Sequence, residues 1–128
     1  MSNIVDIESP YGSADPDTRE RNRRYARALM AWALGRGHTP FASHLLYTQP
    51  GILDDADEAQ RMHGIMSGKR IMEAAGCEMV IVGEDLGVSP GMALGVHWHR
   101  ERGHRVISIL LGDGWDHDGL SDAAWRER

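Results

Sequence analysis

The residues best suited to chemistry fall into a few short clusters. Ser89-Pro90-Gly91-Met92 joins a hydroxyl to a proline and a glycine at what reads as a helix start. Free backbone amides and the positive end of a helix dipole there suit a phosphate or carboxylate. The same grammar also makes an ordinary serine cap followed by proline. Ser9-Pro10-Tyr11-Gly12 supplies a second hydroxyl and a ring able to stack on a base, or else a plain strand-to-helix turn. Glu84 and Asp85 are acid/base candidates if burial shifts a pKa, against the alternative of a solvated turn. His44 lies among apolar neighbours and fits either a ligand contact or a hydrogen-bonded core histidine. His97 and His99, with His104 nearby, suggest a metal, but residues two apart on a helix point about 200° away from each other. No metal site is therefore expected. Cys77 precedes an apolar run with no base beside it, so its expected role is structural.

These clusters need elements to hold them. Asn3–Glu8 alternates Val5 and Ile7 with Ile4, Asp6 and Glu8 and reads as a strand. A helix follows, with Asp15 as N-cap, Pro16 at the first helical position and Asp17 beside it. Tyr25, Leu29, Trp32 and Ala33 form its inner stripe, and Gly35 and Gly37 stop it. Thr39–Leu46 reads as a second strand running into a loop that ends at Gly51. The acidic run 54–58 opens a second long helix, with Met62, Ile65, Met66 and Met72 as its expected inner face. Gly64 and Gly68 inside it each cost about 1 kcal/mol relative to alanine, which points to close packing against a neighbouring backbone. Glu78–Gly83 is an apolar run of the kind a parallel sheet buries on both faces. Ser89 and Pro90 then begin a helix that ends at Gly103, and His104–Leu111 forms the last strand. Beyond it, Gly112–Arg128 either carries a short helix from Ser121 or forms a loose tail.

The order β-α-β-α-β-α-β implies an α/β domain over residues 1–112, a parallel sheet with helices on both faces, and a polar tail over 113–128. Ligands of such sheets bind outside the carboxyl ends of the strands. Three segments lie there: Ser9–Gly12, His44–Gln49 and Glu84–Gly91.

Composition narrows the class. The chain has 128 residues, 14 Lys+Arg against 19 Asp+Glu, a net charge of −5 and 41% hydrophobic residues. That suits one folded domain rather than a disordered chain, and it disfavours binding to a nucleic acid polymer. No apolar run approaches the roughly 18–20 residues of a membrane span. The N-terminal residues lack the basic and apolar segments of a secretory signal, and a single cysteine suits a reducing compartment, so a cytoplasmic location is expected. Thirteen of the 14 basic residues are arginine, and Lys69 is the one lysine. Either a GC-rich genome or phosphate binding accounts for that bias.

One pattern is familiar as a whole. A strand leading into Ser9-Pro10-Tyr11-Gly12, then Asn22 and Tyr25 on an Arg-rich helix, then Pro40-Phe41-Ala42-Ser43-His44-Leu45-Leu46-Tyr47-Thr48-Gln49, then Ser89-Pro90-Gly91-Met92, resembles small bacterial and phage domains allied to the nucleoside 2-deoxyribosyltransferases and nucleotide N-glycoside hydrolases. The likeness runs from about Ile4 to Leu111. It implies a flavodoxin-like (Rossmann-like) parallel sheet of four to five strands, a homodimer or larger assembly, a nucleoside or nucleotide ligand, and no cofactor. In those enzymes a serine at the helix start holds the 5′-phosphate, and Ser89 matches it. A glutamate one turn into that helix attacks the anomeric carbon, assisted by an aspartate on the preceding loop. Here the glutamate position falls on Gly95, which leaves Asp85 or Glu84 as the acid/base group. Ser9, Tyr11 and His44 are expected at base or sugar and Ser89 with Gly91 at phosphate, with Gly12, Asn22 and Met92 completing the ligand-binding set. Two alternatives stand beside a glycosidase: a non-catalytic nucleotide binder, and an interaction domain whose helix glycines and tail tryptophans serve assembly.

Overall fold

A computed structural model describes residues 3–116 and 124–127. The chain runs β1 (Ile4–Glu8), α1 (Pro16–Gly35), β2 (Thr39–Phe41), α2 (Ser43–Leu46), α3 (Glu58–Ala74), β3 (Met79–Gly83), α4 (Pro90–Glu101), β4 (Arg105–Leu110) and β5 (Ala124–Glu127). The sheet order is β2-β1-β3-β4-β5. The first four strands are parallel, in a flavodoxin- or Rossmann-like α/β arrangement, and β5 joins antiparallel to β4. No helix among the described residues is long and apolar enough to cross a membrane.

The sequence grammar is visible at the helix starts. Asp15 caps α1 by accepting from the Thr18 amide, with Pro16 behind it. Asp57 caps α3, and Ser89 caps α4 with Pro90 in the first turn. Each cap satisfies an amide that lacks an intrahelical acceptor.

Because strand side chains alternate, β1 sends Val5 and Ile7 to one face and Asp6 and Glu8 to the other. On the first face Val5, Ile7, Ile81, Ile107 and Ile109 pack against Tyr25, Leu29, Trp32 and Ala33 of α1. On the second, Val80, Val82 and Val106 meet Met92 and Val96 of α4 in a smaller apolar cluster.

Three expectations change. The segment read as one strand to Leu46 leaves the sheet after Phe41, and Ser43–Leu46 makes a turn of helix instead. The inner face of α3 is Gly64, Gly68, Lys69 and Met72, while Met62 and Met66 are exposed. A Cβ on Gly68 would lie 2.5 Å from Ser43 Cβ, and one on Gly64 would lie 3.0 Å from Leu53 Cδ1. The two glycines therefore let α2 and its following loop press onto α3, through side chains rather than backbone. The tail is also not separate. Trp115 stacks edge-on against Tyr25 at 5.0 Å, Asp116 pairs with Arg24 at 2.9 Å, and residues 124–127 pair as a strand rather than a helix. Ser121 lies outside the described residues.

Candidate functional site

The strand order reverses direction between β1 and β3, and the carboxyl ends of those strands form the crevice where such sheets hold ligands. Three sequence-distant segments meet there. Glu8, Ser9, Tyr11 and Gly12 follow β1, Ser43 and His44 come from α2, and Ser89, Pro90, Gly91 and Met92 begin α4. Together with Asp55, Arg61 and Ile65 they line a cavity of about 220 Å³. It adjoins a groove of about 690 Å³ that shares Tyr11, Gly12, Asp55 and Arg61 and adds Arg19 and Arg23. Of the expected ligand-binding residues, Ser9, Tyr11, Gly12, His44, Ser89, Gly91 and Met92 line the cavity.

Local bonds fix their positions. Ser9 Oγ and His44 Nε2 are hydrogen-bonded at 2.8 Å, which ties the end of β1 to α2. The Tyr11 ring stands edge-on to His44, with centroids 5.5 Å apart. Arg23 Nε donates to the Tyr11 hydroxyl at 3.1 Å. Asn22 acts one step away from the cavity: its Nδ2 donates to the Tyr11 carbonyl at 2.9 Å and holds the loop. Ser89 Oγ accepts from the Met92 amide at 3.3 Å, and Met92 Sδ accepts from the Ser89 amide, so the serine is first of all the helix cap. Burial pushes the His44 pKa down to about 4, so the ring is neutral at ordinary pH.

Asp85 and Glu84 are not among the lining residues. Asp85 accepts from the Tyr25 hydroxyl at 2.5 Å, the Leu111 amide at 2.9 Å and the Gly112 amide at 3.0 Å. Both of its carboxylate oxygens are occupied in fastening the loop after β3 to α1 and to the end of β4. This is the geometry of a positioning carboxylate, not of one facing a ligand. The histidines diverge as their spacing demands. His99 is buried with Nε2 donating to Asp6 Oδ2 at 2.8 Å, whereas His97 is exposed beside Glu101. Cys77 is buried, and its thiol donates to the Met79 carbonyl.

The groups that sequence reading missed lie directly beneath the cavity. Lys69 Nζ donates to Asp6 Oδ2 at 2.5 Å and to Glu8 Oε1 at 2.6 Å. The Lys69 side chain is 4% exposed, Asp6 3% and Glu8 14%. Burial alone would raise Asp6, but the His99 hydrogen bond and the Lys69 ammonium outweigh it and hold its carboxyl below the ordinary value. For Glu8 burial wins over Lys69, helped by the neighbouring Asp6 charge, and pushes the carboxyl up to about 7. Burial would lower Lys69, but the two carboxylates more than compensate and keep it charged.

Gly95 explains itself in this setting. A Cβ there would collide with Glu8 Oε1 and lie 2.5 Å from Glu8 Cδ. The space that a side chain from α4 would enter is filled by a carboxylate arriving from β1. Two signals pointed to this cluster. One was the single lysine in an otherwise all-arginine chain, and the other was a strand with acids at alternate positions on a face that a helix must cover.

No match to this chain is found among curated proteins or among solved structures. Residues 3–109 match the family model described as a domain of unknown function, DUF7768, and the chain belongs to that family.

Proposed function

We propose that the cavity binds a nucleoside or nucleotide. The observation that carries this reading is the convergence of Ser9, Tyr11, His44, Ser89 and Gly91 on one cavity at the switch point of the sheet. An aromatic base fits beside the Tyr11 ring and the neutral His44 ring, whose planes stand at 80° to each other. An anionic group fits the start of α4, where the Gly91 amide, the Ser89 hydroxyl and the helix dipole meet, with Arg61 across the cavity. The adjoining groove gives room for the rest of a mononucleotide, since small-molecule sites commonly span about 300–1,000 Å³.

Asp85 does not support the acid/base part assigned to it, because its oxygens are committed to Tyr25, Leu111 and Gly112. With Asp85 so committed and Gly95 at the glutamate position, binding is the part of the reading that these residues support. Calorimetric titration with nucleosides and with their 5′-monophosphates tests the binding reading. Saturable binding that strengthens with the phosphate and weakens in Ser89→Ala is the expected result. Absence of heat and of thermal stabilisation across both sets would sink it. A ligand at about 100 times its Kd should add about 2.7 kcal/mol of stability.

A further inference from the structure

Five side chains form one continuous run of hydrogen bonds on the sheet face that α3 and α4 cover. It passes from His104 to His99 at 2.9 Å, from His99 to Asp6 at 2.8 Å, from Asp6 to Lys69 at 2.5 Å and from Lys69 to Glu8 at 2.6 Å. Glu8 lines the cavity. His104, in the turn between α4 and β4, is half-buried, whereas His99, Asp6 and Lys69 are sealed from solvent. The run therefore begins where water reaches it and ends on the cavity wall.

Its charges do not cancel as they stand. Asp6 and Glu8 bring two negative charges and Lys69 one positive, and an uncompensated charge in such a place is expensive. One further proton balances the sum. Asp6 is not its seat, because its Oδ2 already accepts from both Lys69 and His99, and these two hold its carboxyl below the ordinary value. Two places remain. One is Glu8, of which Lys69 engages only Oε1, and whose carboxyl burial pushes up to about 7. The other is the histidine pair. His99 Nε2 faces a carboxylate and must donate, so in the neutral pair His99 Nδ1 accepts from His104 Nδ1. An added proton goes to His104 Nε2, or to His99 Nδ1 with the bond between the rings reversed. A second would set two N–H groups against each other, so the pair takes up one proton as a unit.

We propose that the cluster shares one proton between its two ends, so that the His99–His104 pair sets the charge that Glu8 shows to the cavity. This holds whatever the cavity binds. With the proton on Glu8, the wall beside the start of α4 is neutral and admits an anion. With the proton on the histidines, Glu8 is charged, and the same wall favours a cation or a hydrogen-bond donor. By linkage, an anion in the cavity draws the proton inward and a donor sends it outward, so occupancy is felt at His104. Other charged and titratable groups surround both ends. Arg102 at the end of α4 and Glu78 ahead of β3 act on His104, and the Trp98 ring stands edge-on to both imidazoles with Arg102 stacked over it at 3.8 Å. The Cys77 thiol, also ahead of β3, lies near Asp6 and Lys69. At the cavity end stand His44 behind Ser9, and Asp55 and Arg61 on the wall.

The test follows the full chain without ligand by NMR from about pH 4 to 9, which brackets the ordinary carboxyl and imidazole ranges. The readouts are the Glu8 carboxyl carbon and the ring nitrogens of His99 and His104. Glu8→Gln removes the negative charge at the cavity end and keeps a carbonyl oxygen for Lys69. It should lower the midpoint of the histidine pair by about one pH unit or more. Glu8→Asp keeps the charge and should restore most of that shift. A midpoint unmoved by Glu8→Gln overturns the proposal. Equal lowering by both variants traces the shift to packing and overturns it too. If neither variant folds, the wild-type curves decide. The Glu8 carbon and the His104 nitrogens should each show two steps at the same two pH values, and a single independent midpoint for each overturns the shared proton.

Discussion

On the α1 side of the sheet, Val5 and Ile7 of β1 sit among Tyr25, Leu29, Ile81 and Ile107, all nearly or fully buried. On the other side of the same strand, Asp6 and Glu8 sit with Lys69 and His99. Both environments are buried, and they are held by different physics. The first gains from apolar area removed from water, about 25 cal/mol per Å², and is indifferent to pH. The second takes several charges out of water and recovers that cost only while every partner is present. One face stores stability, and the other holds a set of charges beneath the cavity.

Lys69→Met breaks that contrast hardest. It leaves Asp6 and Glu8 buried without their ammonium, and a loss of about 3–5 kcal/mol is expected by denaturant unfolding. Ligand binding should be lost with it. Leu29→Ala is its counterpart on the apolar face. Leu29 is fully buried, so about 2–5 kcal/mol should go, while ligand affinity of the molecules that remain folded stays the same. Equal damage to binding by both variants would dissolve the distinction between the faces.

The pH dependence of stability sharpens the comparison further. Glu8 holds its proton more tightly when folded, so its contribution is full below its ordinary 4.5 and is lost as pH rises to about 7. His44 has the opposite sign. Its contribution is full above its ordinary 6.5 and is lost as pH falls toward about 4. His104, lowered by burial and by His99, adds to the His44 slope. Asp6 contributes above its ordinary 3.8, and that contribution is lost only at lower pH. Across the shared window the opposing slopes offset, and the wild type should vary little. In Glu8→Gln stability should climb by about 3 kcal/mol from pH 4 to 6.5, and in His44→Asn it should fall by about 3 kcal/mol from pH 4.5 to 7. Thermal denaturation of the three proteins across that range checks both signs. Parallel curves would contradict the assignment.

Ser89→Ala is the mildest change. Loss of the cap should cost about 1 kcal/mol of stability, and a lost hydrogen bond to an anionic ligand should weaken binding about tenfold or more. Since Ser89 stands at the cavity but outside the charge cluster, the pH dependence of stability should not change.

Most of the frame was legible because local chemistry and the fold agree. Asp15-Pro16 and Ser89-Pro90 mark helix starts that the structure places at the same residues. The run Met79–Gly83 is apolar on both sides because helices cover both. Misreadings came where tertiary contacts override a local pattern. Ser43-His44-Leu45-Leu46 is too short for periodicity to separate strand from helix, and Gly68 decides the matter by admitting Ser43 against α3. The methionines of α3 looked like a core stripe, yet Met62 and Met66 are exposed, and Met72 shares the buried face with two glycines and a lysine. Hydrophobicity cannot anticipate a charge turned inward to meet acids that are 63 and 61 residues away in sequence. Asp85 was legible as a special carboxylate but not as a fastener, since its three donors come from α1 and from beyond β4.

The placement of Lys69 has a consequence for the exterior of the molecule. It is the chain's one lysine and is almost completely enclosed, so the folded surface offers no side-chain amine. Acetylation, ubiquitin attachment and amine-reactive labels can reach a lysine here only in molecules whose α3 has opened. The rate at which Lys69 is acylated is therefore a built-in gauge of how often the charged half of this protein comes apart.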